Sequence, residues 1–454
     1  LCQKPNLIPE FYAEIPHNEV ATVAKTQKWV SFLTLSMTGG IIYQVAYIRY
    51  VYLDATYTAL HISGQQYGDI IAIFGTVATV MYFFGGWFAD RFSPKLLIIA
   101  SLVGTGVADV YLASVPGYWG ILSAHILMAV MGMGLYWAAL VKAIGMFGGA
   151  AEQGRLFGFL EGTRGLTSTV IGFIGTAIVA KAVEPQDGVL GLIRIYGILC
   201  FVFAAAVLLL VKEDKEGLAN LGKSTVTLTQ LWAAAKNKYT WLIGGTIFMM
   251  YSFYTTLAYF TPLLQTKFGM SVALLGIIGV TRTYVFMFVA GPTGGFGVDK
   301  LTHSAPKFLR WMFIATVAIA AIFLVMPKND SFVWVALVLM FVLSFAVFAS
   351  RGVYWATVGE VEIPAEERGG IIGLASGLGY LPDAFLPALA AWWIGDPTAS
   401  PAVPEHGGGY SALFIFLIVG GLLGIVLTTV STRVHKADLA KVKEQPKDLQ
   451  TAGV

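Results

Sequence analysis

The chain has 454 residues, 57% of them hydrophobic and only 12% charged, with a formal charge of +3 at neutral pH. A soluble domain carries about 25% charged residues because its surface must be hydrated, so this composition excludes a water-facing globule and leaves lipid as the main solvent. The 51 glycines suit helices that pack closely through small residues. A polar stretch, 1–28, opens the chain without a cleavable signal peptide, and a start at Leu1 instead of Met is the mark of a processed or engineered end. The hydrocarbon core of a bilayer, about 30 Å thick, takes roughly 20 apolar residues to cross as a helix. Twelve such runs follow in order: 29–53, 66–89, 95–115, 118–146, 156–182, 191–211, 240–265, 271–297, 308–327, 331–358, 370–395 and 409–431. The predicted fold is an all-α membrane protein of twelve transmembrane helices in two pseudo-symmetric six-helix bundles. Its divisions are a tail at 1–28, a bundle at 29–211, a charged linker at 212–239, a second bundle at 240–431 and a tail at 432–454.

Lys and Arg sort by side. Of the 29, 20 lie in the tails, the linker and the alternate loops on their side, and the opposite loops hold only Lys181, Arg194, Lys267 and Lys328. The positive-inside rule then puts both termini in the cytoplasm of a plasma (bacterial inner) membrane. The last stretch, with Arg433, Lys436, Lys441, Lys443 and Lys447, reads as a solvated end in reach of anionic lipid.

The two halves repeat each other. Gly85-Gly86-Trp87-Phe88-Ala89-Asp90-Arg91 ends the second run, and Gly294-Gly295-Phe296-Gly297-Val298-Asp299-Lys300 ends the eighth, 209 residues later. Gly154, Gly158 and Gly162 return as Gly369, Gly373 and Gly377 at an offset of 215, and Tyr136-Trp137-Ala138 as Tyr354-Trp355-Ala356 at 218. Repeats of this kind build many transporters, with the substrate site at their interface.

The segment Gly86-x-x-x-Asp90-Arg91-x-x-x-Lys95 resembles the loop 2–3 signature of the major facilitator superfamily, and Asp299 and Lys300 lie in its partner in loop 8–9. The resemblance implies alternating access, with these charges latching the cytoplasmic side when the cavity faces outward. The segments Glu152-Gln153-Gly154-Arg155 and Ile363-Pro364-Ala365-Glu366-Glu367-Arg368-Gly369-Gly370 look like the organophosphate and organic-anion (anion:cation symporter) branches, as does Gly377-Leu378-Gly379-Tyr380-Leu381. Arg49 falls where the organophosphate antiporters carry a substrate-binding arginine in helix 1. Their second arginine, in helix 7, is replaced here by Tyr254 or an apolar neighbour.

A charge at the bilayer centre costs about 2.5–3.5 kcal/mol on insertion scales, so it faces a cavity or a partner. Seven such residues stand out: Arg49, Lys142, Glu161, Arg164, Arg282, Arg351 and Asp383. All fall on helices that the family architecture places around a central cavity. In one reading Arg49 and Arg282 hold an anion from opposite halves, helped by Arg164, Arg351, Tyr47 and Tyr254. Guanidinium suits carboxylate or phosphate because its donors form a planar, always charged fork. In the other reading the arginines pair with Asp383, Glu161 or backbone carbonyls and only hold helices together. Glu161 and Arg164, three residues apart, share a helix face and form either a structural ion pair or a proton-coupling site. Asp383 is the second coupling candidate. Pro382 and Pro387 flank it, each removing a helix hydrogen bond, so the eleventh run is expected to kink there. His125 reads as structural.

No Gly-rich phosphate loop ending in Lys-Ser/Thr is present, which argues against ATP coupling. Cys2 and Cys200 fit neither a disulfide framework nor a metal site. The expectation is therefore a monomeric, non-enzymatic secondary transporter without cofactor or nucleic-acid partner. It moves a small organic or inorganic anion, coupled to protons or to a counter-anion. The rivals are a proton-coupled exporter of drug-like, siderophore or lipid-like compounds and a non-transporting receptor on the same fold.

Overall fold

The computed structural model describes residues 17–147, 153–212, 228–361, 365–395 and 404–444, and every described element is helical. In chain order they are α1 (His17–Ile41), α2 (Arg49–Ala59), α3 (Gly64–Arg91), α4 (Pro94–Leu112), α5 (Gly117–Ala129), α6 (Trp137–Gly145), α7 (Gln153–Lys181) and α8 (Pro185–Leu210). Then come α9 (Leu228–Lys236), α10 (Lys238–Thr256), α11 (Phe260–Phe268), α12 (Val272–Val280), α13 (Phe286–Gly297), α14 (Ala305–Val325), α15 (Val333–Val353), α16 (Ala356–Glu360), α17 (Ala365–Gly379), α18 (Leu386–Ile394) and α19 (Tyr410–Glu444). Most of the expected linker (213–227), the ends of both tails, Glu152 and Ile363-Pro364 lie outside the described residues. So do the surroundings of Gly86, Asp90, Arg155 and 365–369.

Eight helical stretches among the described residues are long and apolar enough to cross a bilayer. They match the expected runs 3–6, 8–10 and 12, except that α19 continues past the expected end at 431 to Glu444. The second expected run is one unbroken helix of 28 residues, α3, begun by a capping box in which Ser63 and Gln66 exchange hydrogen bonds. The other three expected runs are interrupted, each for a local reason. Pro387 cannot donate to the carbonyl of Asp383 and Pro382 cannot donate to that of Leu378, and a 3₁₀ turn at Leu381–Ala384 separates α17 from α18. In the seventh run Pro262 leaves the carbonyl of Ala258 without its helical donor, and a 3₁₀ turn at Leu257–Tyr259 follows α10. In the first run side chains compete for the backbone: Gln44 and Ser168 both donate to the carbonyl of Gly40, and Arg49 donates to that of Ala46. The chain accordingly turns at 42–48 before α2 resumes.

Large apolar side chains cover the outside, among them Val183, Leu209, Trp119 and Trp334 at 66–96% exposure. Apolar surface on that scale belongs against lipid rather than water. Inside, α3 packs on the interrupted eleventh run at van der Waals distance. A Cβ on Gly68 would stand 2.9 Å from the carbonyl oxygen of Pro387, and one on Gly75 would collide with the carbonyl of Asp383. Gly75→Ala is therefore expected to lower stability by about 1–3 kcal/mol, the usual cost of overpacking, read as a lower melting temperature in detergent. A parent-like melt would mean that α3 has room to retreat.

The face where α3 ends and α4 begins carries Arg91, Lys95, Lys300 and Lys307 and is called the basic face below. On the opposite face Lys267 pairs with Glu405 at 2.9 Å and the His406 ring stacks on Trp392 at 4.7 Å. Toward that opposite face the first and second halves of the chain pack tightly. Gly279 of α12 meets Val51 of α2, Gly276 meets Thr176 of α7, and Gly68 of α3 meets Ala391 of α18.

Candidate functional site

Three interrupted helices meet at mid-depth, and Arg49, Asp383 and Arg282 converge there. Arg49, the first residue of α2, is 2% exposed and reaches Asp383 Oδ1 through Nη2 at 3.4 Å. Its Nη1 donates to the carbonyl of Ala46 at 2.9 Å, and its guanidinium lies 5.2 Å and 4.9 Å from the ring centres of Tyr47 and Tyr50. Asp383, in the 3₁₀ turn, accepts two shorter bonds as well. The hydroxyl of Tyr251 donates to Oδ2 at 2.8 Å and that of Thr255 to Oδ1 at 2.8 Å. The carboxylate thus has three donors from two helices, which is what a buried charge requires.

Arg282 lies on a π turn, Thr281–Val285, between α12 and α13 and is fully buried. Its terminal nitrogens donate to the carbonyls of Leu257 and Tyr50. Both carbonyls belong to irregular backbone, one in the 3₁₀ turn after α10, the other two residues before Tyr52 with its non-helical φ of −130°. One guanidinium therefore pins three helix irregularities from both halves of the chain. Arg164 pairs with Glu161 at 2.5 Å, reaches the carbonyl of Gly39 at 3.4 Å and lies 4.9 Å from the Trp137 ring centre. Arg49, Arg164 and Arg282 thus have the acidic and carbonyl partners of the second sequence reading.

Arg351 has a different environment. Its guanidinium sits over the Tyr254 ring at 3.8 Å, 5.6 Å from Phe348 and 6.0 Å from Tyr251, in the geometry of cation–π contact. Among the described residues it pairs with no carboxylate. Tyrosines surround it. Tyr254 packs on Tyr50 at 5.0 Å and on Tyr251 at 5.1 Å, and Tyr251 meets Tyr380 edge-on at 4.9 Å. The Tyr380 hydroxyl takes a bond from Trp355 Nε1 at 3.3 Å and shares another with Tyr354 at 3.1 Å. Tyr82 of α3 faces Tyr380 across the two halves at 5.7 Å. Arg351, Tyr82, Tyr380 and Trp355 are all half-buried, and the Glu161 side chain is 51% exposed.

Toward the basic face Lys95 donates to the carbonyls of Leu208 and Val211 at 2.9 and 2.7 Å, closing the C-terminal end of α8. Lys142 does the same for Ala89 at 2.8 Å. Such cations complement the negative end of a helix. Arg91 stacks on Trp87 at 4.2 Å, and Asp299 and Lys300 stand exposed on a π turn, Val298–Thr302. His125 is buried with Nδ1 on the carbonyl of Ile121 at 2.8 Å. Among the described residues no group of three or more His, Cys, Asp or Glu is placed to hold a metal ion.

Sequence reasoning named both ends of the Arg49–Asp383 pair but not Thr255 or Tyr82, which carried no motif and no charge. Trp355 lay inside a repeat segment and Tyr380 inside the family-like segment 377–381, without a role assigned to their side chains.

The profile of the Major Facilitator Superfamily matches residues 29–387. The chain is 28% identical to "Inner membrane protein YihN" of Escherichia coli over 418 residues, covering 91% of this chain and 98% of that one. It is 27% identical to "Inner membrane protein YqcE" of the same organism, over 81% and 87%. Among solved structures, the nucleoside transporter NupG aligns with a TM-score of 0.67 at 12% identity, over 90% of this chain and 99% of that chain. A bacterial homolog to the human lysosomal transporter Spinster, inward-facing and occupied, aligns with a TM-score of 0.65 at 13% identity, over 92% and 98%. At these identities the structural likeness speaks for the fold alone.

Proposed function

Because this chain belongs to the Major Facilitator Superfamily, whose members are secondary transporters, we propose that it carries a small organic anion by alternating access and holds it on Arg351. The observation that carries this reading is the inequality among the buried cations. Arg49 has Asp383, Arg164 has Glu161, Arg282 and Lys142 have carbonyls, and Arg351 has aromatic faces and no acid among the described residues. A cation left without a counter-charge in a low-dielectric cavity attracts an anion strongly, and the guanidinium fork offers it two parallel donors. The tyrosine rings around Arg351 offer the substrate's less polar body a surface, and their hydroxyls further donors.

Residues 29–211 and 240–431 form the two bundles that rock against each other, joined by the linker at 212–239. The tight packing of α2 and α3 on α12 and α18 closes the cavity toward the Lys267–Glu405 face, and half-exposed Glu161 and Arg351 open toward the basic face. By the positive-inside rule the basic face, both termini and the tails at 1–28 and 432–454 lie in the cytoplasm. That makes this conformation inward-facing, in the inner membrane that the names of the E. coli relatives specify. Lys95, Arg91, Asp90, Gly86, Asp299 and Lys300 are the latch of the opposite state. Asp383 and Glu161 are the coupling acids for a proton or for exchange against a second anion.

The test is thermal stabilisation of detergent-purified protein by a panel of carboxylates, organophosphates, sulfonates and inorganic anions, with cationic and neutral solutes beside them. A ligand at 100 times its dissociation constant stabilises by about 2.7 kcal/mol. One hydrogen-bonded charge contributes about 1.5–3 kcal/mol, so Arg351→Ala weakens the best anion by roughly tenfold to a hundredfold or more and removes most of that stabilisation. If only lipophilic cations stabilise the parent, or if Arg351→Ala responds as the parent does, the anion reading fails and drug export takes its place.

A further inference from the structure

A second cavity opens on the face of the Lys267–Glu405 pair, between α2, α3, α11 and α18. Exposure falls along it. Thr58 at its mouth is exposed and Asp54 half-buried, while Leu53 is 6% and Arg49, at the floor, 2% exposed. All four belong to α2, and the rise of 1.5 Å per residue from Thr58 to Arg49 makes the cavity about 14 Å deep. Its volume is about 240 Å³. That is below the roughly 300–1,000 Å³ of pockets that take drug-sized ligands and is room for about eight waters at about 30 Å³ each.

The floor is a fixed cation with the proposed coupling acid behind it. Arg49 lines the cavity, and Asp383, which does not, meets Arg49 Nη2 at 3.4 Å. The guanidinium is held by the carbonyl of Ala46 at 2.9 Å and by the Tyr47 and Tyr50 rings at 5.2 and 4.9 Å. Asp383 keeps the Tyr251 and Thr255 hydroxyls of α10, each at 2.8 Å. Nearer the mouth the wall carries Asp54, Tyr57, Tyr259 and the half-exposed Lys267–Glu405 pair. Water that enters at Thr58 therefore reaches Arg49 before Asp383. The charge it meets is permanent, because a guanidinium stays protonated at any pH a protein encounters.

We infer that Arg49 is the proton barrier of this outer vestibule. In this conformation it keeps hydronium and other cations off Asp383, which then exchanges protons only with the side to which the Arg351 cavity opens. The inference rests on the coupling role proposed above for Asp383. A carboxylate reached by water from both faces would pass protons down their gradient with no substrate moving. A fixed positive charge in a narrow passage excludes protons and cations while water still enters. Arg49 belongs to the first half of the chain and Asp383 to the second. The rocking that opens the outer side thus draws the barrier away from the acid, and the proton is admitted only then.

The test reconstitutes the full chain in proteoliposomes with a trapped pH dye, clamps the potential with potassium and valinomycin, and acidifies the outside with no organic anion present. The parent is expected to be as tight as protein-free vesicles. Arg49→Gln and Arg49→Met are expected to pass protons about tenfold faster or more, the effect of removing a unit charge close to the proton's path. Arg49→Lys, which keeps the charge, stays tight. Arg49→Gln retains a donor for the carbonyl of Ala46, and a single melting transition shows that a leaking variant is folded. Leu53→Ala, which widens the passage and leaves the cation, is also expected to stay tight. Neutral variants no faster than the parent, or a Leu53→Ala leak as fast as that of Arg49→Gln, overturn the barrier. Arg49→Gln combined with Asp383→Asn is expected to be tight again. A leak that persists in the double variant leaves the barrier standing and sinks Asp383 as the coupling acid.

Discussion

Arg282→Ala is expected to lower the stability of the protein by about 1–3 kcal/mol, because one of the two buried carbonyls it serves is left unsatisfied. The two carbonyls are those of Tyr50 and Leu257, and both sit where the helical ladder is already broken. The carbonyl of Leu257 keeps the backbone N–H of Phe260, whereas that of Tyr50, beside the break at Tyr52, loses the donor that Arg282 supplies. A term of opposite sign also acts, because the substitution removes a fully buried cation that has no carboxylate partner among the described residues. Arg282→Met, which fills the space, is therefore expected to melt above Arg282→Ala, and Arg282→Lys, with one nitrogen for two carbonyls, below the parent. Melting temperatures of the three variants in one detergent decide the matter. Arg282→Met should still be stabilised by the anion that stabilises the parent, since the terminal nitrogens of Arg282 are spent on the backbone. A variant with a parental melting temperature and no anion response would instead return Arg282 to direct contact with substrate.

The same arginine shows where sequence reasoning stops. Hydropathy placed Arg282 at mid-membrane, and the insertion cost of a charge there demands a partner. Composition cannot say whether that partner is a ligand, an acid or a carbonyl, because free carbonyls arise only where helices break. The break at Asp383 was legible, since Pro382 and Pro387 bracket it and prolines leave a mark in sequence. The turn at 42–48 was not, because it is made by Gln44, Ser168 and Arg49 taking carbonyls, and the spacing of such residues looks the same in an intact helix. Arg49 stands near the end of the first run, 29–53, and α2 carries the helix beyond it to Ala59. Arg351 falls in the last third of the tenth run, 331–358, within snorkelling reach of the interface. Its guanidinium turns inward onto Tyr254 instead, and that contact joins residues 97 positions apart that no local pattern connects. Tyr82 was invisible for the plainest reason: a tyrosine in an apolar run reads as an interfacial anchor until its neighbours are known.

Asp383→Ala is expected to cost about 3–5 kcal/mol, the penalty for removing one partner of a buried ion pair, and Arg49→Ala distinctly less. The asymmetry follows from the hydrogen bonds. Without Asp383, Arg49 keeps, among the described residues, the carbonyl of Ala46, the Tyr50 hydroxyl at 3.5 Å and tyrosine faces, at 2% exposure. Without Arg49, Asp383 still holds the hydroxyls of Tyr251 and Thr255. The double variant Arg49→Met with Asp383→Leu should recover most of the loss, because a pair in contact is not additive and apolar replacement removes both desolvation penalties. Equal losses for the two single variants would mean that the 3.4 Å contact is the whole of the interaction. Asp383→Asn then separates stability from coupling. It keeps an acceptor for one of the two hydroxyls and meets the other with its amide N–H, removes the charge and releases Arg49 as a proton on Asp383 would. If that release is the coupling step, uptake by Asp383→Asn in proteoliposomes loses its dependence on an imposed pH gradient while anion-for-anion exchange continues. If uptake still follows the gradient, the proton is carried elsewhere, and the remaining acid is Glu161, half-exposed to the cavity and 2.5 Å from Arg164. Glu161→Gln would then show the uncoupled exchange that Asp383→Asn did not.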